Sequence, residues 1–212
     1  MKATIIYDNT TIRADLIADW GFACYIETGR NKILFDTGGN GKILLQNMRS
    51  LDINLYKIDT VFISHNHFDH IGGLSAFLNE NPDVTLYAPN SLRGIKHAKK
   101  VILIEQAQKL EDGLYTTGEL EGIEQSMAVQ TEKGLVLVVG CSHPDMANIL
   151  SAASQFGDIY AIIGGLHGFD QYDLFEEFQL ICPAHCTQHK AEIKNIYPGK
   201  YIEGGVGKMI EL

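Results

Sequence analysis

Residues 64–74 read SHNHFDHIGGL, which places His65, His67, Asp69 and His70 within six positions and a glycine pair close behind them. The preceding TVFIS (60–64) has the apolar pattern of a buried strand, so His65 begins where that strand ends. In extended chain, residues two apart face the same way, which aims His65 and His67 at a common point. Two converging neutral imidazoles are the start of a metal site. Asp69 and His70 are adjacent and diverge if the chain stays extended; a turn would direct both toward a second metal. Gly72 and Gly73 let the backbone pass close beneath the site before a helix begins. A polar loop of clustered histidines is the competing reading, but gathering these side chains without a partner is costly.

Two histidines do not hold a catalytic zinc, which takes three protein ligands and an open water position. The rest of the chain must supply more. LVLVVGCSHPD (135–145) ends an apolar strand in His143, IYAIIGGLHGF (159–169) does the same with His167, and LICPAHCTQ (180–188) with His185. Four strand-end histidine sites on one rim of the sheets suit an active site, because such sites are built on loops beyond strand ends. His97, in the basic stretch LRGIKHAKK (92–100), and His189, at the start of a helix, read as surface residues. Cys182 and Cys186 flank His185, but structural zinc favours closed sets of four thiolates and imidazoles, and only this cysteine pair is close in sequence. Cys141 reads as a small apolar neighbour of His143.

The chain has 212 residues, enough for one sizeable domain (1–212), and no linker, repeat or low-complexity segment divides it. A formal charge of −9 disfavours nucleic acid and anionic lipid, which select basic surfaces. No apolar run reaches spanning length and the N-terminus is too polar for a signal peptide, so a cytoplasmic protein is expected, with its four cysteines free. Strands are expected over 3–7, 22–28, 32–36, 60–64, 84–88, 100–105, 126–131, 135–140, 159–165 and 180–184. Helices are expected over 42–50, 72–79, 146–156, roughly 170–178 and 187–197, the last capped by Thr187. Hairpins early and strand–helix alternation later suit two mixed sheets face to face with helices outside.

The series His65-x-His67-x-Asp69-His70 after a strand, with Asp36 in ILFDTG (33–38) upstream and His143 and His185 downstream, resembles the metallo-β-lactamase superfamily. The resemblance runs across nearly the whole chain. It implies an α/β, αββα sandwich with metals at one edge between the sheets. It further implies that His65, His67 and His143 bind a first metal, that Asp69, His70 and His185 bind a second, and that Asp36 is a buried supporting acid. EQSMAVQTEKGLVLVVGCSHPDMANIL (124–150), IIGGLHGF (162–169) and PAHCTQ (183–188) look like a narrower group, named for 7,8-dihydropterin-6-methyl-4-(β-D-ribofuranosyl)aminobenzene-5′-phosphate synthase. One departure stands out. Many superfamily members carry a metal-bridging aspartate where this chain has GGLHG (164–168), with His167 in its place and Asp170 three residues on. That leaves open whether one or two metals bind, and whether His167 serves as ligand or substrate contact.

The expected function is metal-dependent hydrolysis of a small ester, thioester or phosphoester. Imidazoles with one carboxylate suit Zn²⁺, one or two per chain, with Fe and Mn as further options. Zinc lowers the pKa of bound water from 15.7 to about 7 and so yields a hydroxide nucleophile, oriented by Asp69. His167 is the candidate contact for developing charge, and Arg93, Lys96 and Lys99 are candidate contacts for a substrate phosphate. Two alternatives stand beside this: a synthase-like transferase displacing pyrophosphate from a pterin precursor, and a non-catalytic ligand sensor. A nuclease lacks its basic track here. Oxygen-reducing di-iron relatives carry HxExD, whereas His67 stands at the glutamate position. The partner is a small molecule, and the oligomeric state is left open.

Overall fold

A computed structural model describes residues 1–212. The first sheet holds β1 (Lys2–Tyr7), β2 (Ala23–Glu27), β3 (Lys32–Phe35), β4 (Thr60–Phe62), β5 (Thr85–Pro89) and β6 (Lys100–Ile104). The second holds β7 (Gln108–Glu111), β8 (Leu114–Thr116), β9 (Met127–Thr131), β10 (Gly134–Val139), β11 (Ile159–Gly165) and β12 (Leu180–Ala184). The last strand, β13 (Met209–Glu211), returns to the edge of the first sheet beside β1. Spatial orders are β13-β1-β2-β3-β4-β5-β6 and β12-β11-β10-β9-β8-β7.

Both sheets are mixed, as expected: antiparallel hairpins form one half of each, while β3 to β6 and β10 to β12 run parallel. The inward faces meet in a core that includes Phe22, Phe35, Phe62, Val136, Val138 and Ile163, with Phe35 and Phe62 stacked at 5.4 Å. Helix α1 (Gly41–Ser50) covers the outer face of the first sheet. Its N-cap Asn40 accepts hydrogen bonds from the N–H groups of Lys42 and Ile43, and Leu44, Leu45 and Met48 point inward. The one-turn α2 (Phe68–Ile71) and α3 (Leu74–Glu80) follow, and α4 (Met146–Ser154) and α5 (Lys190–Ile196) cover the second sheet. This is the αββα sandwich. No helix is long and apolar enough to cross a membrane.

Several expected elements differ. The helix expected over 72–79 starts later, as α3, and is parted from the unexpected one-turn α2 at Gly72–Gly73, where both glycines press on backbone: a β-carbon would stand 2.2 Å from Gly39 O at Gly72 and 2.2 Å from Thr37 O at Gly73. The helix expected over 170–178 is only a 3₁₀ turn, Tyr172–Phe175. There Phe169, Phe175 and Phe178 stack in series at 4.5 and 5.0 Å, and burying that series outweighs helix continuation. Thr187 does not cap α5; its hydroxyl accepts from Leu166 N and donates to Ala184 O, tying two strand-end loops together, and His189 occupies the cap position. Strands β7, β8 and β13 were not expected. They are short, and β7 and β13 are charged edge strands without a two-residue apolar alternation.

Candidate metal centre

Parallel strands deliver the histidines to one rim, because their carboxyl ends point the same way. Asp36 follows β3, Ser64 and His65 follow β4, His143 follows β10, His167 follows β11 and His185 follows β12. Four of the loops reverse through a non-glycine residue in the left-handed region: Asp36 (φ 52°), Ser142 (59°), His167 (45°) and His185 (47°). Each such residue costs roughly 1–2 kcal/mol. The rim concentrates that strain where the chain must turn side chains back over the strand ends.

Hydrogen bonds fix which ring nitrogen each histidine presents. Ser64 Oγ donates to Asp36 Oδ2 at 2.6 Å, so it accepts from His65 Nδ1 at 2.9 Å and leaves His65 Nε2 as the lone pair. His70 Nδ1 donates to Asp36 Oδ2 at 2.7 Å, which leaves its Nε2 free 3.2 Å from Cys141 Sγ. His185 Nδ1 donates to Asn9 Oδ1 at 3.1 Å, and its Nε2 lies 3.3 Å from Asp69 Oδ2. His67 Nδ1 stands 3.0 Å from His65 Nε2. The ligand atoms of His65, His67 and His143 lie within 4.8 Å of one another, as do those of Asp69, His70 and His185. The helical turn of α2 is what brings the adjacent Asp69 and His70 to one place, with His70 N and Ile71 N both bonded to His67 O.

Burial keeps most of these imidazoles neutral. It drives His65 far below the ordinary histidine range, lowers His143, and pushes His185 down to about 3, with repulsion between neighbouring histidines adding to each. His70 is the exception. Burial opposes its charge, but the carboxylates of Asp36, Asp69 and Glu124 together outweigh burial and raise it. Asp36 itself, fully enclosed, is raised by burial against the pull of His70 and Ser64. It is a buried acid that accepts three hydrogen bonds, from Ser64 N, Ser64 Oγ and His70.

Sequence reasoning missed the residues that brace the centre. Glu124, fully buried, accepts the backbone N–H groups of Gly140, Cys141 and Ser142 on Oε1 and that of His143 on Oε2, all at 2.9–3.2 Å. Its neighbour Gln125 bonds the backbone of Ile63 and Ser64, so residues 124–125 join the His65 loop to the His143 loop across the two sheets. Trp20 donates its indole N–H to Asp69 Oδ2 at 2.8 Å and sets its ring against His185. Asp8 accepts from His185 N, and Asn9 bonds both the ring and the carbonyl of His185. Trp20, the chain's single tryptophan, was the one available signal; the others are lone polar residues far from the histidines in sequence.

The remaining candidates divide. His167 is exposed with its ring 5.3 Å from that of His143, so it stands beside the cluster. Asp170 is exposed and has no hydrogen bond to the cluster. His97 is exposed and His189 half-buried. Arg93 and Lys96 line a cavity of about 300 Å³ against α2 and α3, while Lys99 is tied to Asp83 at 2.7 Å. All four cysteines are free. Cys182 is enclosed in the core between the sheets. Cys141 is not merely an apolar neighbour of His143, since its sulfur faces His70 and its carbonyl accepts from the Cys186 thiol at 3.8 Å.

The donors fit a metal. Nε2 of His143 and Nε2 of His185 are enclosed without a hydrogen-bond partner, an expensive arrangement for polar atoms that a cation would relieve. An αββα sandwich carrying imidazoles and a carboxylate at one rim defines a class of metal-dependent proteins, mostly hydrolases. A family model described as "Metallo-beta-lactamase superfamily" matches residues 21–139, and the chain belongs to that superfamily. It is 27% identical to the 7,8-dihydropterin-6-methyl-4-(beta-D-ribofuranosyl)-aminobenzene-5′-phosphate synthase of Methanocaldococcus jannaschii, over 89% of this chain and 88% of that protein. Among solved structures, Tm1679, a metal-dependent hydrolase of the beta-lactamase superfamily, superposes with a TM-score of 0.81 at 23% identity, covering 100% of this chain and 99% of the other. Zn²⁺-bound PqqB from Methylobacterium extorquens superposes with a TM-score of 0.68 at 11% identity, covering all of both chains.

Proposed function

We propose that the protein is a hydrolase that works with metal held at this rim, zinc first among the options, on a small ester, thioester or phosphoester. His65, His67 and His143 would hold one ion, and Asp69, His70 and His185 a second. The observation that carries the reading is the convergence of these two donor sets with unpaired Nε2 atoms on His143 and His185. When bound, such ions polarise a substrate oxygen and acidify water. The protein's part is positioning. Trp20 hydrogen-bonds the Asp69 carboxylate, which would orient the attacking water, and His167 beside His143 would meet negative charge developing on the substrate. Exposed Trp20 and Phe68 flank the ligands and would wall an apolar or planar part of a small substrate. A panel of esters, thioesters and phosphoesters, assayed with metal-loaded protein, tests this. Turnover that His67→Ala abolishes and His167→Ala reduces is expected; no turnover on any member would refute it.

A second reading is a synthase-type transfer, favoured by the 27% identity across most of both chains. In that case the same donors would neutralise a departing pyrophosphate. Pyrophosphate release from a dihydropterin precursor, with the simple esters untouched, would select it over hydrolysis.

A further inference from the structure

We propose that Cys141 and Cys186 are thiolate ligands of this centre, with Cys141 shared between the two metal positions and Cys186 on the second. The proposal rests on the metal-binding reading above and deepens it. Sγ of Cys141 belongs to two groups at once: it lies within 4.8 Å of the ligand nitrogens of His65 and His70, and within 4.8 Å of the ligand nitrogen of His185 and of Cys186 Sγ. It therefore sits between the histidines of the first and second positions. Its nearest ligand nitrogen, His70 Nε2 at 3.2 Å, is the one that the Asp36 hydrogen bond leaves free. His185 Nε2, enclosed and without a hydrogen-bond partner, faces the same space.

The backbone makes room for the second sulfur. Gly165, at the end of β11, has no side chain where a β-carbon would lie 2.3 Å from the Gly140 carbonyl oxygen, 2.7 Å from Cys186 Sγ and 3.2 Å from Cys141 Cα. A side chain there would collide with the Gly140 carbonyl and the Cys186 thiol together. The other two cysteines, Cys24 and Cys182, are enclosed together in the core, so the chain separates one sulfur pair for packing from one at the metal rim. The sulfurs lie near the carboxyl end of β11, where Leu166 and His167 offer no carboxylate. Binding would break two S–H bonds, form metal–sulfur bonds and release two protons to solvent. Soft sulfur donors would favour Zn²⁺, Fe²⁺ or Co²⁺ over Mg²⁺, Ca²⁺ and Mn²⁺.

X-ray absorption at the zinc edge of the wild-type, zinc-loaded protein reads this directly, since Zn–S lies at about 2.3 Å and Zn–N at about 2.0–2.1 Å. A sulfur shell is expected. It should weaken in Cys186→Ser and Cys141→Ser, with at least about tenfold weaker binding of the second ion. Cobalt-loaded wild type should show a near-ultraviolet thiolate-to-metal band that both variants diminish. Two bound ions with only nitrogen and oxygen neighbours would overturn the inference and leave the metal-binding reading intact. Protein as purified that is two hydrogens lighter than its sequence, with no sulfur shell, would identify a disulfide and also overturn it. A wild type that takes up no zinc would refute the metal-binding reading itself.

Discussion

Asp36 and Glu124 are buried carboxylates that set the geometry of His65, His70 and His143. Asp36 decides which nitrogen His70 presents and, through Ser64, which one His65 presents. Asp36→Asn would place an amide where those donors need an acceptor, and metal affinity should fall about 10–100-fold, read by competition with a chromophoric chelator. Glu124→Gln would turn one acceptor into a donor facing backbone N–H groups. It should lose about 1–3 kcal/mol in denaturant unfolding, with weaker metal retention. An unchanged midpoint would show that the four N–H groups find other partners. His65, His67, Asp69, His70, His143 and His185 were legible in the sequence because each follows a strand or sits in a dense polar run. Glu124, Asn9 and Trp20 were not, because their roles arise from contacts 16 to 176 residues away that no local pattern encodes.

Elements matter here mainly for where they end. The Gly72–Gly73 break lets α2 present Asp69 and His70 while α3 turns away against the outer sheet face. Gly73→Ala should destabilise the fold by roughly 1–3 kcal/mol, because the new methyl meets the Thr37 carbonyl. Gly29→Ala, where nothing lies within 4 Å, should stay within about 0.5 kcal/mol. Thermal unfolding of the two variants side by side tests the contrast, and equal effects would deny the close approach. The long apolar strands were readable from their runs, whereas β7, β8 and β13 were hidden because short or charged segments carry no period to detect. The helix expected over 170–178 failed for a different reason: three stacked phenylalanines there favour a compact turn.

At the scale of the whole molecule, a rim of buried neutral histidines links stability to acidity. His185 titrates at about 3 in the folded chain against about 6.5 unfolded, so the unfolded state takes up the proton first as pH falls. Through that window, metal-free protein should lose up to about 1.4 kcal/mol per pH unit from this one residue, with His65 and His143 acting in the same direction. His70 acts oppositely. Its folded value is raised, so its contribution is complete below the unfolded value and is lost as pH rises through the folded one. The raised carboxyls of Asp36 and Asp8 side with His70, because they bind a proton sooner in the folded chain. The three lowered imidazoles nonetheless predict a melting temperature that falls from about pH 7 to pH 5 in chelator, and a flat profile would contradict it. The central claim is that the rim is a metal centre. Elemental analysis by plasma mass spectrometry, on wild type, His67→Ala and His143→Ala purified without added metal, tests it most directly. The wild type should retain at least one transition-metal ion per chain and both variants clearly less; equal metal content in all three, or none in the wild type, would contradict the account.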